Sequence, residues 1–525
     1  MKHIIYKKLA LVLSCVSLIC LSNSCTDKFE QMNTNPNTVP HDMMLRDNLL
    51  TGSAIAQMEN YAITTDANQY QRMFNLAGDM FAGYMSPTNV WSHSNVYNLF
   101  DEWYNVGFEV AYGRVMSAWR VLDLIKDEEP VSYSLAQILK VFAMHKVTDM
   151  YGPIPYSQFG KSEQVPYDSQ EAVYMLFFEE LTDAIDILYE FTQQYPDARP
   201  LKNYDLIYGS DYSKWVKFAN SLKLRLALRI YYVDAAKSRQ YAEEAVNHPL
   251  GVMTANNDNA FYPVSQRNPL NEIWDAYADT RMGATMECYM NGFNDPRRSA
   301  YFTAQPYNGI DYRGVKLQAV NSTRRTQYNA RCALPNVTMT DPMQWMVAAE
   351  SYFLRAEGAL RGWNMGGTAE DLYNLGISTS FDKEGASGYA TYIADATSVP
   401  TNFADASSAT YNHTYSPTNS ITIKWDATGT VGTVERNLER IITQKYLAIF
   451  PDGQEAWSEF RRTGYPKVIP THTNNSGGEI DRDIQIRRLK FPTTEYSNNN
   501  EEVNKGVDLL NGPDTGGTKL WWDKK

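Results

Sequence analysis

The fold of this chain is most clearly indicated by one segment, Ala348-Ala349-Glu350-Ser351-Tyr352-Phe353-Leu354-Arg355-Ala356-Glu357-Gly358-Ala359-Leu360. Apolar residues recur in it at three- and four-residue steps, a spacing that predicts a helix with one buried face. Its alanines and its glycine carry almost no side chain, so a neighbouring helix can approach closely. The segment therefore predicts a pair of tightly packed helices.

Further amphipathic helices are predicted on both sides of this segment. The clearest is 170–190, where apolar side chains form one face and most of the acidic ones lie off it. Small residues in the 348–360 segment are spaced as in tetratricopeptide helices, yet no clean 34-residue period runs through the chain. We therefore expect a mainly α protein, an irregular α-α superhelix of tetratricopeptide-like helix pairs with long loops and a few short strands such as Ser420–Trp425. The other predicted helices are 134–148, 213–231, 343–361 and 435–450.

Long stretches rich in Gly, Asn, Ser and Thr separate the helices, and they are predicted to be loop-rich insertions at about 251–335, 364–433 and 471–519. Loops of this length in a compact protein are usually functional. We therefore expect the ligand-binding residues to lie in these insertions or in the shorter loops.

The N-terminus has the pattern of a lipoprotein signal peptide over residues 1–24. Lysines precede an apolar run from Leu9 to Leu21 that is too short to span a bilayer. Small residues lead up to Cys25, which is the expected lipid-attachment residue. A tether at 25–40 and a helical binding domain at 41–525 are expected to follow. The alternative is an ordinary secretory signal with an incidental cysteine, and either way the protein leaves the cytoplasm.

The net charge limits the possible partners, and the cysteine content limits the possible disulfides. The formal net charge is −12, and removal of the three signal-peptide lysines moves it to −15. Such acidity disfavours nucleic acid and anionic membrane surfaces as partners. Only Cys288 and Cys332 remain in the body, where one disulfide is possible and not required.

Signatures of catalysis and of cofactor binding are missing from the sequence. It contains no His-Glu-x-x-His, no paired Cys-x-x-Cys, no phosphate-binding glycine loop and no Gly-x-Ser-x-Gly. The pair His145 and Asp149 is interpreted as structural, and we predict no metal and no cofactor. Two carboxylates suffice for a glycosidase, so a surface hydrolase stays open as the alternative to a non-enzymatic binding protein.

Several separated segments resemble the SusD/RagB family, especially its SusD-like branch. They extend from just after Cys25 almost to the last residue. The segments are Phe29–Asn37, Thr148–Tyr156, Trp215–Ala227, Arg355–Glu357, Glu455–Gly464, Arg488–Tyr496 and Lys519–Asp523.

This resemblance implies a lipid-anchored, surface-exposed protein of the outer membrane that binds a nutrient, most often an oligosaccharide. It also implies a partner, a SusC-like TonB-dependent transporter that receives the ligand. Peptide binding is the alternative within the family. The charged and aromatic residues of the shared segments are interpreted as holding helices together, so they do not name the ligand.

Two groups of loop residues are predicted to bind the ligand, because aromatic rings stack on sugar faces while amides bond to hydroxyls. The first group is Tyr84, Trp91, His93, Asn95 and Tyr97. The second group is Trp274, Tyr277, Arg281, Asn291, Tyr301 and Tyr307.

Overall fold

A computed structural model describes residues 46–90, 93–415 and 421–525. The predicted signal peptide, Cys25 and the tether lie outside the described residues, as does Trp91. The chain divides into Met1–Leu50 and Thr51–Lys525. In the first unit the described residues form the 3-10 turn Arg46–Asn48 and the beginning of a helix. Within the described part, no helix combines the length and the apolar character needed to cross a membrane.

Helices dominate the described residues, as predicted. The longer ones are α1 (Leu49–Ala62), α2 (Asp101–Val110), α3 (Pro130–Tyr151), α4 (Gln170–Gln194), α5 (Tyr212–Arg229), α6 (Ala235–Asn247), α7 (Ala284–Gly292), α8 (Ala348–Leu360), α9 (Ala369–Glu384), α10 (Val431–Ala448), α11 (Gly453–Thr463) and α12 (Asn500–Asp508). Shorter α-helices are Ala67–Tyr70, Ser117–Asp123, Pro269–Asn271, Arg298–Tyr301, Arg325–Arg331, Tyr389–Ile393 and Thr493–Asn498. Segments Gln71–Asp79, Ala111–Met116 and Glu272–Ala276 are π-helical, and 3-10 turns occupy Ser94–Val96, Asn256–Asp258 and Ala409–Tyr411.

Helices that follow one another in the sequence pack together in pairs: α3 with α4, α5 with α6, and α8 with α9. A Cβ added at Gly376 of α9 would lie only 2.8 Å from Cε1 of Phe353 in α8, so this pair is held at a distance that only glycine permits. Helix α10 packs on both α8 and α9. The predicted tetratricopeptide-like pairing is therefore confirmed.

Helix α3 is the central helix, because it is buried on nearly every side. Its polar residues are consequently paired inside the protein. Lys146 Nζ lies 3.0 Å from a carboxylate oxygen of Asp452, and Asp149 accepts hydrogen bonds from the hydroxyl of Tyr174 at 2.6 Å and the indole of Trp522 at 2.9 Å. The structural interpretation of Asp149 agrees with these contacts.

A buried network of ion pairs joins α5, α8, α10 and α11. Arg225 of α5 donates two hydrogen bonds to Glu350 of α8, at 2.8 and 2.6 Å. The side chains of the network are almost completely excluded from solvent, and a buried charge is tolerated only when it is paired in this way. Its other contacts are Arg229 with Glu455 and Glu459, Lys445 with Glu455, and Arg462 with Glu357 and Glu459.

Strands are short and antiparallel: β1 (Met85–Pro87) with β3 (Thr280–Met282), β2 (Ala260–Tyr262) with β6 (Met343–Met346), and β4 (Phe302–Thr303) with β5 (Leu334–Pro335). Residues 343–346, predicted as the start of a helix, are therefore strand β6. The predicted strand at 420–425 is wrong for 421–425, whose backbone bonds to side chains and loops; Tyr373 donates to the Ile423 carbonyl at 2.7 Å. Each of the three segments expected to be loop-rich also contains a longer helix: α7, α9 and α12.

Candidate ligand-binding surface

Pairing of β1 with β3 brings one loop from each predicted group of residues next to the other. In this ladder Ser86 is opposite Arg281 and Pro87 is opposite Thr280. The loop that follows β1 therefore runs beside the segment that precedes β3. The first loop carries the predicted residues His93, Asn95 and Tyr97, and the second segment carries Trp274 and Tyr277.

Asp279 joins these two loops to a third one. Its carboxylate accepts hydrogen bonds from Asn89 at 2.9 Å, Gln71 at 3.2 Å and Arg325 at 3.3 Å. Burial raises the pKa of Asp279 above its ordinary value, whereas these donors oppose that change. Nothing in the sequence around Asp279 marked it, because its partners are distant in the chain.

The residues of the first group have different environments. His93 stacks on Phe100 with ring centroids 4.6 Å apart and meets Trp103 edge-on at 4.9 Å. Asn95 is buried, and its carbonyl accepts a hydrogen bond from Thr471 at 2.7 Å. Tyr97 is also buried, and burial raises the pKa of its phenol. Asn95 and Tyr97 therefore support the loop, while His93 belongs to a partly exposed aromatic cluster.

The second group has two aromatic residues near the surface. Trp274 is half-buried, and its indole donates to the Val337 carbonyl at 3.0 Å, which fixes the orientation of the ring. The Tyr277 side chain is exposed, with 37% of its surface accessible. Arg281 is buried and donates to the Trp274 carbonyl at 3.2 Å; burial lowers its pKa to about 10. Arg281 is therefore placed to position Trp274.

Tyr84 and Tyr301, which were predicted to bind ligand, lie in the core. The Tyr84 hydroxyl donates to the Tyr446 carbonyl, and its ring packs on Tyr446 and Phe450. Tyr301 packs on Phe450 with ring centroids 5.0 Å apart. The Tyr84 ring fills space between structural elements, whereas Tyr301, although buried, lines a cavity together with Phe450 and Gln454.

The two remaining predicted residues contact arginines. Asn291 donates to the Tyr312 carbonyl at 2.8 Å and accepts from Arg298 at 2.7 Å. The half-buried Tyr307 ring has the Arg331 guanidinium 4.3 Å from its centroid. A ligand that stacked on Tyr307 would therefore meet a ring that already contacts the Arg331 guanidinium.

Sequence reasoning missed three residues that close this surface on its other side. Arg324 Nη2 donates to the Tyr411 hydroxyl at 2.9 Å, and Tyr411 meets the exposed His472 edge-on at 5.0 Å. His472 adjoins Thr471, which holds Asn95. These contacts link the loops in a closed series, which we call the binding face. Among the described residues it consists of 88–90, 93–97, 274–281, 321–331, 404–413 and 471–483.

The fold thus combines a scaffold of paired helices with a surface that is built from loops. The family described as "SusD-like: Susd and RagB outer membrane lipoprotein" matches residues 31–523, and the chain belongs to this family. The family is thus one of outer membrane lipoproteins, as the sequence resemblance implied.

Solved structures of related proteins agree with this assignment. A chitin-binding SusD homologue from Flavobacterium johnsoniae is 39% identical, with a TM-score of 0.86 over 90% of this chain and 99% of that one. A SusD homologue from Bacteroides uniformis is 39% identical, with a TM-score of 0.84 over 91% of this chain and 99% of that one. A homologue from Bacteroides thetaiotaomicron is 36% identical, with a TM-score of 0.84 over 90% and 99%. A search of curated proteins finds no match.

Proposed function

We propose that this protein captures oligosaccharides at the cell surface and delivers them, unchanged, to a SusC-like TonB-dependent transporter. In this proposal acyl chains on Cys25 anchor it in the outer membrane, and the binding face carries the ligand. Membership of an outer membrane lipoprotein family supports the anchor and the location. The buried charged residues of the helical scaffold are committed to internal pairs such as Arg225–Glu350 and Arg462–Glu357, so we assign recognition to the loops.

The observation that carries the proposal is the arrangement of Trp274 and Tyr277. Trp274 is held by its indole N–H and by Arg281, so its ring has a fixed orientation at a half-exposed position. Tyr277 lies three residues further on with its side chain exposed. Rings in fixed orientations stack on the C–H faces of sugars at little entropic cost. Trp91 stays in the proposal because it directly follows Val90 in the adjoining loop.

Oligomers of β-linked N-acetylglucosamine are the first ligands to test. The Flavobacterium johnsoniae homologue, 39% identical to this chain, is described as chitin-binding. Each acetamido group offers one hydrogen-bond donor, one acceptor and a methyl group, and the binding face combines polar side chains with aromatic rings that match them.

Isothermal titration of the purified protein with chitin oligomers, cello-oligomers and a peptide panel tests the proposal. We expect Tyr277→Ala to weaken chitin-oligomer binding about tenfold, equivalent to about 1.4 kcal/mol. Tyr195→Ala is the matched control, because Tyr195 is also exposed, at 50%, but follows α4 away from the binding face. Binding that is equal in the two variants, or binding of peptides alone, contradicts the proposal.

Two further measurements test the other parts of the proposal. Incubation with chitin oligomers should release no shorter products, and their appearance would support the surface hydrolase instead. Cys25→Ser should move the protein from the membrane fraction to the soluble one. A TonB-dependent transporter should copurify with the wild type from native membranes, and its absence contradicts the partnership.

A further inference from the structure

A cavity of about 410 Å³ is lined by none of the residues of the binding face, although Val337 in its wall accepts the hydrogen bond of the Trp274 indole. Its walls are the π-helical segment Gln71–Asp79, the start of α11 and the segment 336–344. The exposed residues Asn336 and Pro342 line it, so it opens to solvent there. Its volume falls within the range of about 300–1,000 Å³ that small-molecule sites occupy.

Much of the cavity wall is apolar and aromatic. Tyr70, Phe74, Phe261 and Phe450 line it together with Leu270. Tyr70 and Phe74 pack against each other with ring centroids 5.4 Å apart, which fixes their orientation. Such walls suit a ligand with C–H faces and disfavour one that is charged.

Gln454 is a polar residue of this wall whose side chain has no hydrogen-bond partner at either end. Only 2% of its surface is exposed, and neither its amide nitrogen nor its amide oxygen forms a hydrogen bond to any described residue. Close packing fixes its backbone, because a Cβ added at Gly78 would lie 2.6 Å from the Gln454 backbone nitrogen. A buried amide with both ends unpaired is costly, and a ligand that bonds to both ends removes that cost.

A second glutamine in the same wall, Gln344, does form hydrogen bonds within the protein. Gln344 donates from Nε2 to the carbonyls of Ile449 at 2.9 Å and Phe450 at 3.3 Å. Its amide is therefore used in holding the chain that leads into α11. Gln454 lies on the same wall with a free donor and a free acceptor.

The charged groups of the wall are mostly satisfied within the protein. Lys146 pairs with Asp452 at 3.0 Å, and Lys383 pairs with Glu384 at 2.5 Å. Asp341 accepts from the backbone and the hydroxyl of Thr338, at 2.8 and 2.6 Å. The described wall therefore has no unpaired cation for an anionic ligand.

Asp79 is the remaining acid of the wall. It is buried, and burial raises the pKa of its carboxyl well above the ordinary value. Its Oδ2 accepts a hydrogen bond from the Asn75 amide at 3.3 Å.

We infer that this cavity is a second ligand site, for a neutral sugar of one or two rings whose hydroxyls bond to the Gln454 amide. Its aromatic walls contact the sugar's C–H faces, and the cavity has room for a short sugar but not for a long chain. The site goes beyond the proposed oligosaccharide capture at the binding face, and neither depends on the other.

The test uses the Tyr277→Ala protein, whose binding face is impaired, and compares it with the double variant that also carries Gln454→Met. Methionine matches glutamine in length and removes both hydrogen-bonding ends. The probes are glucose, galactose, mannose, N-acetylglucosamine and their β-1,4-linked disaccharides, measured by ligand-observed NMR. We expect at least one probe to bind the single variant, and its affinity to fall at least tenfold in the double variant.

Thermal unfolding without ligand checks that the loss is not a folding defect. Gln454→Met should leave the melting temperature unchanged or higher, since it removes an unpaired buried amide, whereas Gln344→Met should lower it. Absence of binding by every probe to Tyr277→Ala, or equal binding by the double variant, overturns the inference and leaves the cavity to water. Failure of wild type to bind chitin oligomers overturns only the binding face.

Discussion

Arg462 holds the carboxylate of Glu357 with two parallel hydrogen bonds, Nη1 to Oε1 at 2.7 Å and Nη2 to Oε2 at 2.6 Å. The contact joins α11 to α8, and both side chains are fully buried. Burial alone would raise the pKa of Glu357, but the charges of Arg462 and Arg361 overcome it and lower the pKa to about 2. Two of the segments shared with the family therefore meet in one ion pair.

Removing the carboxylate of this pair should strongly destabilise the protein. Glu357→Gln leaves the Arg462 charge buried with less compensation, and we expect the free energy of unfolding to fall by about 3–5 kcal/mol in urea denaturation. Glu501→Gln is the control, because its 2.9 Å contact with Lys505 is exposed and should contribute under about 0.5 kcal/mol. Losses of similar size in both variants would show that burial does not strengthen the Glu357 pair.

Glu287 should make stability fall as pH rises. Burial raises its pKa to about 8, from an ordinary value of about 4.3. The folded state therefore binds a proton that the unfolded state has released, so this contribution is complete below about pH 4.3 and is lost as pH rises to about 8. Glu287→Gln should lose less stability than wild type between about pH 5 and pH 8. Parallel melting temperatures for the two proteins across this interval would contradict the assignment. The pKa of Glu357 is lowered by folding, so its contribution to stability depends on pH in the opposite direction. That contribution is lost as pH falls from about 4.3 toward 2.

Close packing of α9 on α8 should make Gly376 sensitive to a single methyl group. Gly376→Ala forces Phe353 to move, and we expect a loss of about 1–3 kcal/mol in chemical denaturation. Gly432→Ala is the matched control in α10, where an added Cβ meets no atom within 4 Å. It should leave stability unchanged or raise it by up to about 1 kcal/mol. A harmless Gly376→Ala would mean that the helix pair is looser than the contact with Phe353 indicates.

Asp279 should be needed for ligand binding at the binding face and not for the stability of the helical fold. In Asp279→Ala the loops that carry Asn89 and Arg325 lose their common acceptor, so we expect oligosaccharide binding to weaken about tenfold, or about 1.4 kcal/mol. Hydrogen exchange should become faster in residues 88–97 and stay unchanged in α3. Asp234→Ala, which removes the N-cap of α6, is the control and should lower stability while preserving binding. Slower or unchanged exchange in 88–97 would contradict this role of Asp279.

Periodicity predicted the helices well because each amphipathic face is a local property. Residues 170–190 were predicted from apolar spacing, and the helix there runs from Gln170, capped by Ser169, to Gln194. Helix α9 was missed although its buried residues recur at helical spacing from Leu372 to Phe381, because the Gly-, Ser- and Thr-rich stretch around it was interpreted as one loop. Strand β6 was predicted as helix because pairing with Ala260–Tyr262, far away in the chain, decides its conformation.

The candidate site was predictable only as a set of loops rich in rings and amides. Tyr84 and Tyr277 have the same side chain, yet one is core and the other is exposed, since burial depends on which elements surround a residue. Asp279 and Gln454 carry no local signal at all. Their roles come from partners, or missing partners, brought to them by other parts of the chain.

By itself the amino-acid sequence determined the helical class, the paired helices and the family, because these follow from spacing and residue type over short distances. The tertiary structure alone decided which rings face solvent, which loops share Asp279, and where a cavity leaves an amide unpaired. Those features depend on contacts between residues hundreds of positions apart, as between Gln71 and Asp279, and no local pattern encodes them.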